Sequence, residues 1–178
     1  SVNQTPANVP YYFAAYDVPP SAVSFLRGQA DLLTETELFA VLQHGDAGPW
    51  NALLTDDGTV AFLDWEAGEP RGLPLWDLIY FHRSASLLMS RSRPWENRRV
   101  RLRRDLIAGS PIGDRVASEV GAYVDATGLD RRAVEPLYHL CWVQRAIKEA
   151  RRIPAERRTH GMFHRFLLDG IDGRDLPG

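Results

Sequence analysis

The stretch HGDAGPWN at residues 44–51, followed by DWE at residues 64–66, decides how this chain is interpreted. Asp46 and Asn51 lie in a loop rich in glycine and proline, and Asp64 comes thirteen residues after Asn51. Between them, two short apolar runs flank Asp-Asp-Gly, a combination that predicts a β-hairpin. Such a hairpin would bring three oxygen-bearing side chains around one point.

Three side chains of this kind suit phosphoryl transfer from a nucleoside triphosphate. One carboxylate near the acceptor hydroxyl orients it and accepts its proton, and further oxygen ligands hold Mg²⁺ against the β- and γ-phosphates. The spacing H-x-D-x-x-x-x-N, with a second aspartate returned by a hairpin, is that of kinase catalytic loops. The pattern therefore predicts a phosphotransferase.

At these residues the sequence resembles the aminoglycoside phosphotransferase and choline kinase family, whose members read HGDxxxxN and then DWE or a similar triplet. The resemblance implies that Asp46 is the catalytic base and that His44 braces the loop. It also implies that Asn51 and Asp64 are ligands of the Mg²⁺ that accompanies ATP or GTP as the phosphoryl donor.

Two more acidic residues have supporting places in this resemblance. Asp77 lies in the run LWDLI at residues 75–79, which is similar to the family's DLA pattern. The resemblance implies that its carboxylate bonds back to the catalytic loop. Glu66, two residues after Asp64, is either a carboxylate near the metal or a solvated acid of the loop.

The resemblance implies an α+β fold, the C-terminal lobe of a protein-kinase-like enzyme. Residues 1–20 hold four prolines and are expected to be an irregular lead-in to a domain spanning 21–178. The catalytic loop and hairpin occupy 38–66, and a helical region on the acceptor side occupies 75–170. Within it, apolar periodicity and Gly or Pro breaks predict helices at about 75–90, 95–108, 112–127, 131–152 and 156–170.

An N-terminal nucleotide-binding lobe is absent from this pattern. Only 43 residues precede His44, and they contain no glycine-rich loop. The sole lysine of the chain is Lys148. We therefore expect the missing N-terminal lobe to come from the same gene or from a partner chain, and the isolated chain to be inactive. The alternative is a non-catalytic, degenerate kinase-like module that binds a ligand or a partner.

The acceptor is predicted to be a hydroxyl of a small molecule, either aminoglycoside-like, choline-like or another metabolite. Gly45 stands where protein kinases have an arginine that pairs with a phosphorylated loop, which argues against protein substrates. Tyr138, Trp142 and Arg145 recur at helical spacing and could line the acceptor pocket. Aromatic residues at that spacing are more often part of a core, so both interpretations stay open.

Composition excludes several other classes of protein. A formal net charge of −2 argues against a dedicated nucleic-acid binder, although seven arginines fall within residues 91–104. The single cysteine, Cys141, lies in an apolar run and is expected to be a buried small hydrophobe. Neither a membrane span nor a signal peptide is visible, so we expect a cytoplasmic protein without a membrane partner.

Overall fold

A computed structural model of the protein describes residues 8–89 and 111–173, which form a mainly helical α+β fold. Its helices and strands, in chain order, are α1 (Val9–Ala15), α2 (Pro20–Thr34), β1 (Val41–Gln43), β2 (Ala52–Leu54), β3 (Val60–Phe62), β4 (Glu69–Gly72), α3 (Trp76–Met89), α4 (Pro111–Thr127), α5 (Val134–Ala150) and α6 (Met162–Gly173). None of the helices in this described part is long and apolar enough to cross a membrane.

Helix α5 lies at the centre of the helical core and packs against α1, α2, α3 and α6. It buries a nearly continuous set of side chains: Leu137, His139, Leu140, Cys141, Trp142, Val143, Ala146 and Ala150. Helix α2 contributes Leu26 and Leu33, which are seven positions apart and therefore lie on one face. The expectation that Cys141 is buried is confirmed, and burial raises the pKa of its thiol to about 12.

The strands form two separate antiparallel ribbons, one pairing β1 with β4 and the other pairing β2 with β3. In the second ribbon Ala52 pairs with Phe62 and Leu54 with Val60, as the hairpin pattern predicts. The turn between them includes Gly58, whose φ of 83° lies in the left-handed region that glycine adopts readily. Both ribbons lie beside the loop that carries the HGD motif, so they position it between them.

The expectation of an irregular lead-in is wrong for its described part. Residues 9–15 form helix α1, with a proline in its first turn, where the missing N–H costs nothing. Tyr12 on this helix and Tyr16 directly after it are buried: the Tyr16 hydroxyl donates to the Ala146 carbonyl at 2.8 Å, and the Tyr12 hydroxyl lies 2.8 Å from Nδ1 of His164. Tertiary packing onto α5 and α6 stabilises a helix in a segment whose local sequence predicted no regular secondary structure.

The predicted helices agree with the described ones apart from their ends. The segment expected at 131–152 begins as one 3₁₀ turn, Arg131–Ala133, before α5. The segment expected at 156–170 is divided into a 3₁₀ stretch, Ala155–His160, and α6, with Gly161 between them. The predicted helix at 95–108 and the arginine cluster within 91–104 lie outside the described residues.

Candidate functional site: the catalytic loop and its cavity

Asp77 holds the HGD loop from below through two backbone hydrogen bonds. Its carboxylate accepts from the His44 backbone N–H at 2.5 Å and from the Gly45 backbone N–H at 3.0 Å. The residue lies in the first turn of α3, so a stable helix supplies the anchor for the loop. A carboxylate that accepts two backbone N–H groups fixes the position of the loop relative to the helix. This is the contact that the resemblance implies for Asp77.

The His44 side chain joins the loop to the strand that leads to Asp64. Its Nε2 lies 2.7 Å from the Leu63 carbonyl oxygen, which can only accept a hydrogen bond. Nε2 must therefore carry the proton, and Nδ1 is left to accept from the Asp46 backbone N–H at 3.3 Å. Because the ring is buried and both nitrogens are engaged, His44 acts as a brace between Asp46 and the end of β3.

Gly45 has a conformation and surroundings that only glycine satisfies. Its φ of 77° is left-handed, and a Cβ atom built on it would lie 2.2 Å from the carbonyl oxygen of Ala67. The loop thus packs directly against the 3₁₀ turn Trp65–Ala67 that follows Asp64. This close approach explains why no arginine can occupy this position.

Asp46 presents its carboxylate at the edge of the loop with its side chain 38% exposed. Asn51 Nδ2 donates to the Asp46 backbone carbonyl at 3.0 Å and reaches its Oδ2 at 3.3 Å. The indole N–H of Trp50 reaches the same oxygen at 3.4 Å, and Arg145 Nη1 lies 3.6 Å from Oδ1. These contacts fix the orientation of a carboxylate that stays open to a ligand.

Backbone strain marks the residue that follows the hairpin. Asp64 has φ 60° and ψ 68°, a left-handed conformation that costs a non-glycine residue about 1–3 kcal/mol. Leu75, buried just before Asp77, has φ 66° and carries the same kind of strain. Strained residues of this type persist where the surroundings hold them and are concentrated at functional sites.

The residues around Asp64 fit a magnesium ion that is shared with nucleotide phosphates. Among the described residues no group of three or more His, Cys, Asp or Glu side chains could hold a metal by itself. Magnesium in phosphotransferases needs only one or two protein oxygens, because phosphates and water supply the others. Asp64 provides an exposed carboxylate, and Asn51 uses Nδ2 toward Asp46, which leaves its Oδ1 as a ligand oxygen. Asn51 itself is buried, and Glu66 is a further oxygen donor nearby that is exposed.

A cavity of about 400 Å³ lies between the HGD loop and the C-terminal half of α5. One wall comes from the loop and the residues after the hairpin, and the other comes from α5, α3 and the start of α6. The lining residues are Gly45, Asp46, Asp64, Glu66, Ala67, Tyr80, Arg145, Lys148, Glu149, Arg152, Ile153 and Phe163. The volume suits a small metabolite or part of a nucleotide.

The structure separates the three residues proposed for the acceptor pocket. Arg145 lines the cavity, donates from Nη2 to the Gly45 carbonyl at 2.6 Å, and lies 3.5 Å from the centre of the Tyr80 ring. Trp142 is fully buried between Phe163 and Phe166, away from the cavity surface. Tyr138 packs against the same core and does not line the cavity either.

Sequence reasoning missed three cavity residues from α5 and its end: Lys148, Glu149 and Arg152. Their spacing from Arg145 is three, four and seven positions, which places them along one face of a helix. That periodicity was visible in the sequence, but nothing local indicated that this face meets Asp46. Tyr80 was also missed; burial raises the pKa of its hydroxyl, so it stays protonated beside Arg145.

Comparison with protein-family models, curated proteins and solved structures finds none that matches this chain. The geometry of the loop is therefore the feature from which a function can be inferred. Its strongest elements are the two-point anchor by Asp77, the brace by His44, and the opening of Asp46 and Asp64 into one cavity.

Proposed function

We propose that this chain is the catalytic lobe of a phosphotransferase that transfers the γ-phosphoryl group of ATP or GTP to a hydroxyl of a small molecule. Asp46 orients that hydroxyl, and Asp64 with Asn51 holds Mg²⁺. When bound, Mg²⁺ supplies charge neutralisation at the phosphates. The kinase-like identity of the lobe is part of the proposal.

The reaction needs only positioning and one proton acceptor from the protein. The acceptor oxygen forms a bond to the γ-phosphorus while the bond from that phosphorus to the β–γ bridging oxygen breaks. The nucleoside diphosphate leaves with the bonding electron pair, and the proton of the hydroxyl passes to the Asp46 carboxylate. Asn51 and Arg145 keep that carboxylate directed at the cavity.

One observation carries the proposal: Asp46 and Asp64, eighteen positions apart in sequence, line the same cavity. Each of these two aspartates is held at the cavity by backbone strain or by dedicated polar contacts. Asp64 has a strained backbone, and the loop of Asp46 depends on a buried histidine and on the Asp77 carboxylate. A turn aspartate without a function would need neither device.

The exposed apolar surface of the β2–β3 ribbon is evidence for a further lobe, which would cover the side of the site where the nucleotide binds. Six large apolar residues of this region are exposed, with Leu54 at 70%; the others are Leu53, Val60, Phe62, Leu63 and Trp65. An exposed apolar group of this extent beside an active site indicates a surface that another element covers. We assign that cover to a nucleotide-binding lobe from the same gene or a partner chain.

A non-catalytic binding module is the second candidate. The observation that favours it is the arrangement of the described strands, which form only two two-stranded ribbons and offer no sheet to cover a nucleotide. In that case the cavity would bind a ligand without transferring a group.

Binding of Mn²⁺·ATP, measured by enhancement of water proton relaxation at millimolar concentrations, separates the two candidates. We expect enhancement with the full chain and its loss in Asp64→Asn, because the metal ligand is removed. Asp56→Asn is the matched control: it removes the same charge from the exposed hairpin turn and should leave the enhancement unchanged. Enhancement that Asp64→Asn leaves unchanged would remove Asp64 from the metal site and assign the chain to the non-catalytic class.

A further inference from the structure

The cavity beside Asp46 has walls of opposite charge. The loop side carries Asp46, Asp64 and Glu66, and the α5 side carries Arg145, Lys148 and Arg152. We refer to these three cations as the basic wall. They follow one another along one helix face and its end, so the wall is continuous. Lys148 is the sole lysine among 21 basic residues, and it is located here.

Part of this charge is already used by the protein. Arg145 engages the Gly45 carbonyl and the Asp46 carboxylate. Glu149, the acid on the same wall, accepts from the backbone N–H groups of Met162 at 2.9 Å and Phe163 at 3.1 Å, so it is committed to the start of α6. The side chains of Lys148 and Arg152 donate no hydrogen bond and form no ion pair within the described parts of the chain.

The two uncommitted cations are therefore available to a ligand. Lys148 is half-buried, and burial, followed by the positive charge of Arg145, lowers its pKa. Arg152 lies one turn further along and is exposed. A bound anion would relieve the repulsion between neighbouring cations and replace the water that Lys148 loses on burial.

A fourth cation lies behind the wall. Arg83 of α3 is 2% exposed, and its guanidinium packs 4.4 Å from the ring centre of Phe163, which lines the cavity. Its Nε and Nη2 atoms are buried without a hydrogen-bond partner. No acid forms an ion pair with it among the described residues, so its charge adds to the potential at this end of the cavity. Burial lowers the pKa of Arg83 to about 10, which leaves it charged at neutral pH.

We infer that the acceptor of the proposed phosphotransferase carries an anionic group, a carboxylate or a phosphate, that binds to Lys148 and Arg152 while its hydroxyl faces Asp46. This inference rests on the proposed function and names its substrate class. A cationic acceptor of the aminoglycoside or choline type would meet like charge from the basic wall and from Arg83. The opposite wall remains free for the metal and the hydroxyl.

Saturation-transfer difference NMR on the full chain, at constant ionic strength, tests the charge preference directly. The anionic probes are glycerate and glycerol 3-phosphate, and the comparison ligands are glycerol and choline. We expect signals from the anionic probes at concentrations where glycerol and choline give none. Equal signals from choline and glycerate, or no signal from either anion, would overturn the inference.

The basic wall is tested by Lys148→Gln/Arg152→Gln, which should weaken binding of the anionic probes by about tenfold or more for each cation that contacts them. Arg131→Gln/Arg132→Gln is the matched control, since it removes two positive charges from an exposed turn and should change nothing. Arg152→Gln alone is the second variant if the double one unfolds. Unchanged anion binding in these wall variants would overturn the inference.

The Mn²⁺·ATP measurement distinguishes the sources of the anion. If Lys148→Gln/Arg152→Gln abolishes the relaxation enhancement and Mg·ATP displaces glycerate, the basic wall holds donor phosphates and the inference is wrong. If the wall binds anions while Asp64→Asn leaves the Mn²⁺·ATP enhancement unchanged, the proposed transferase function fails. If the unmodified chain binds neither anionic probe while its Asp64-dependent enhancement is intact, the substrate class alone is wrong and the proposed transferase function stands.

Discussion

The helical core and the ribbons around the HGD loop are stabilised in different ways. In the core, Trp142 is fully buried, and α5 is surrounded by four other helices. In the β2–β3 ribbon, Leu54 is 70% exposed, and the strands are three residues long. The core is stabilised by apolar burial, whereas polar contacts from His44 and Asp77 hold the loop beside the ribbons.

This difference separates the part of the molecule that sets its overall stability from the part that shapes the candidate site. Burial of large side chains contributes a few kcal/mol each, so changes in the core act on the whole fold. Exposed apolar side chains of the ribbon contribute little until another element covers them. Changes there should affect the site while leaving most of the fold intact, and the strain at Asp64 lies in this less buried region.

Truncation of Trp142 provides the largest contrast between the two regions. Trp142→Ala should lower the free energy of unfolding by about 3–5 kcal/mol, because it opens a cavity among Phe163, Phe166 and Arg83. Leu54→Ala, on the exposed ribbon, should cost less than about 0.5 kcal/mol. Urea unfolding of both variants measures the difference, and similar losses would contradict the division into core and ribbon.

Two glycine substitutions in the loop region separate the cost of a steric clash from the cost of a left-handed backbone. Gly45→Ala should cost about 3 kcal/mol, since it adds a clash with the Ala67 carbonyl to an unfavourable left-handed φ. Gly58→Ala is the matched control: its φ is also positive, and no atom lies within 4 Å of the added Cβ. It should cost about 1 kcal/mol. Equal unfolding free energies for the two variants would mean that the loop does not pack on the turn.

Removal of the Asp77 carboxylate tests the polar anchor. Asp77→Ala should cost about 2 kcal/mol, because the backbone N–H groups of His44 and Gly45 lose a charged acceptor. Hydrogen exchange of these two amides should accelerate, while amides in the middle of α5 keep their protection. Asp77→Asn retains one acceptor oxygen and should show a smaller change. Uniform acceleration across α5 would show that the loop and the core unfold together.

The smallest effect is expected where strain is relieved. Asp64→Gly should raise the free energy of unfolding by about 0.5–1 kcal/mol, since glycine adopts the left-handed conformation freely but gains entropy in the unfolded chain. Asp56→Gly, at an exposed turn position without a left-handed φ, should lower it slightly. A loss of stability in Asp64→Gly would show that contacts of the carboxylate outweigh its strain.

Local signals account for the parts of the fold that were predicted well. The Asp-Asp-Gly turn between apolar runs determines the β2–β3 hairpin, and helical periodicity determines α3, α4 and α5. Helix α1 was not predicted, because its proline and its short apolar run have weak local propensity. Packing of Tyr12 and Tyr16 on distant helices stabilises it, and that contribution has no signature nearby in sequence.

The residues of the candidate site fall into the same two groups, those predicted from local sequence and those placed by tertiary packing. Asp46, Asn51 and Asp64 could be named from sequence, because short-range spacing and one hairpin bring them close to each other. The contact of Arg145 with Gly45, which is 100 positions away, could not be predicted from sequence. The same is true of the place of Lys148 and Arg152 on the cavity wall. The sequence predicts the residue types and the short-range geometry of the loop. Which helix faces the loop depends on the tertiary structure, because packing of the whole core sets the position of α5.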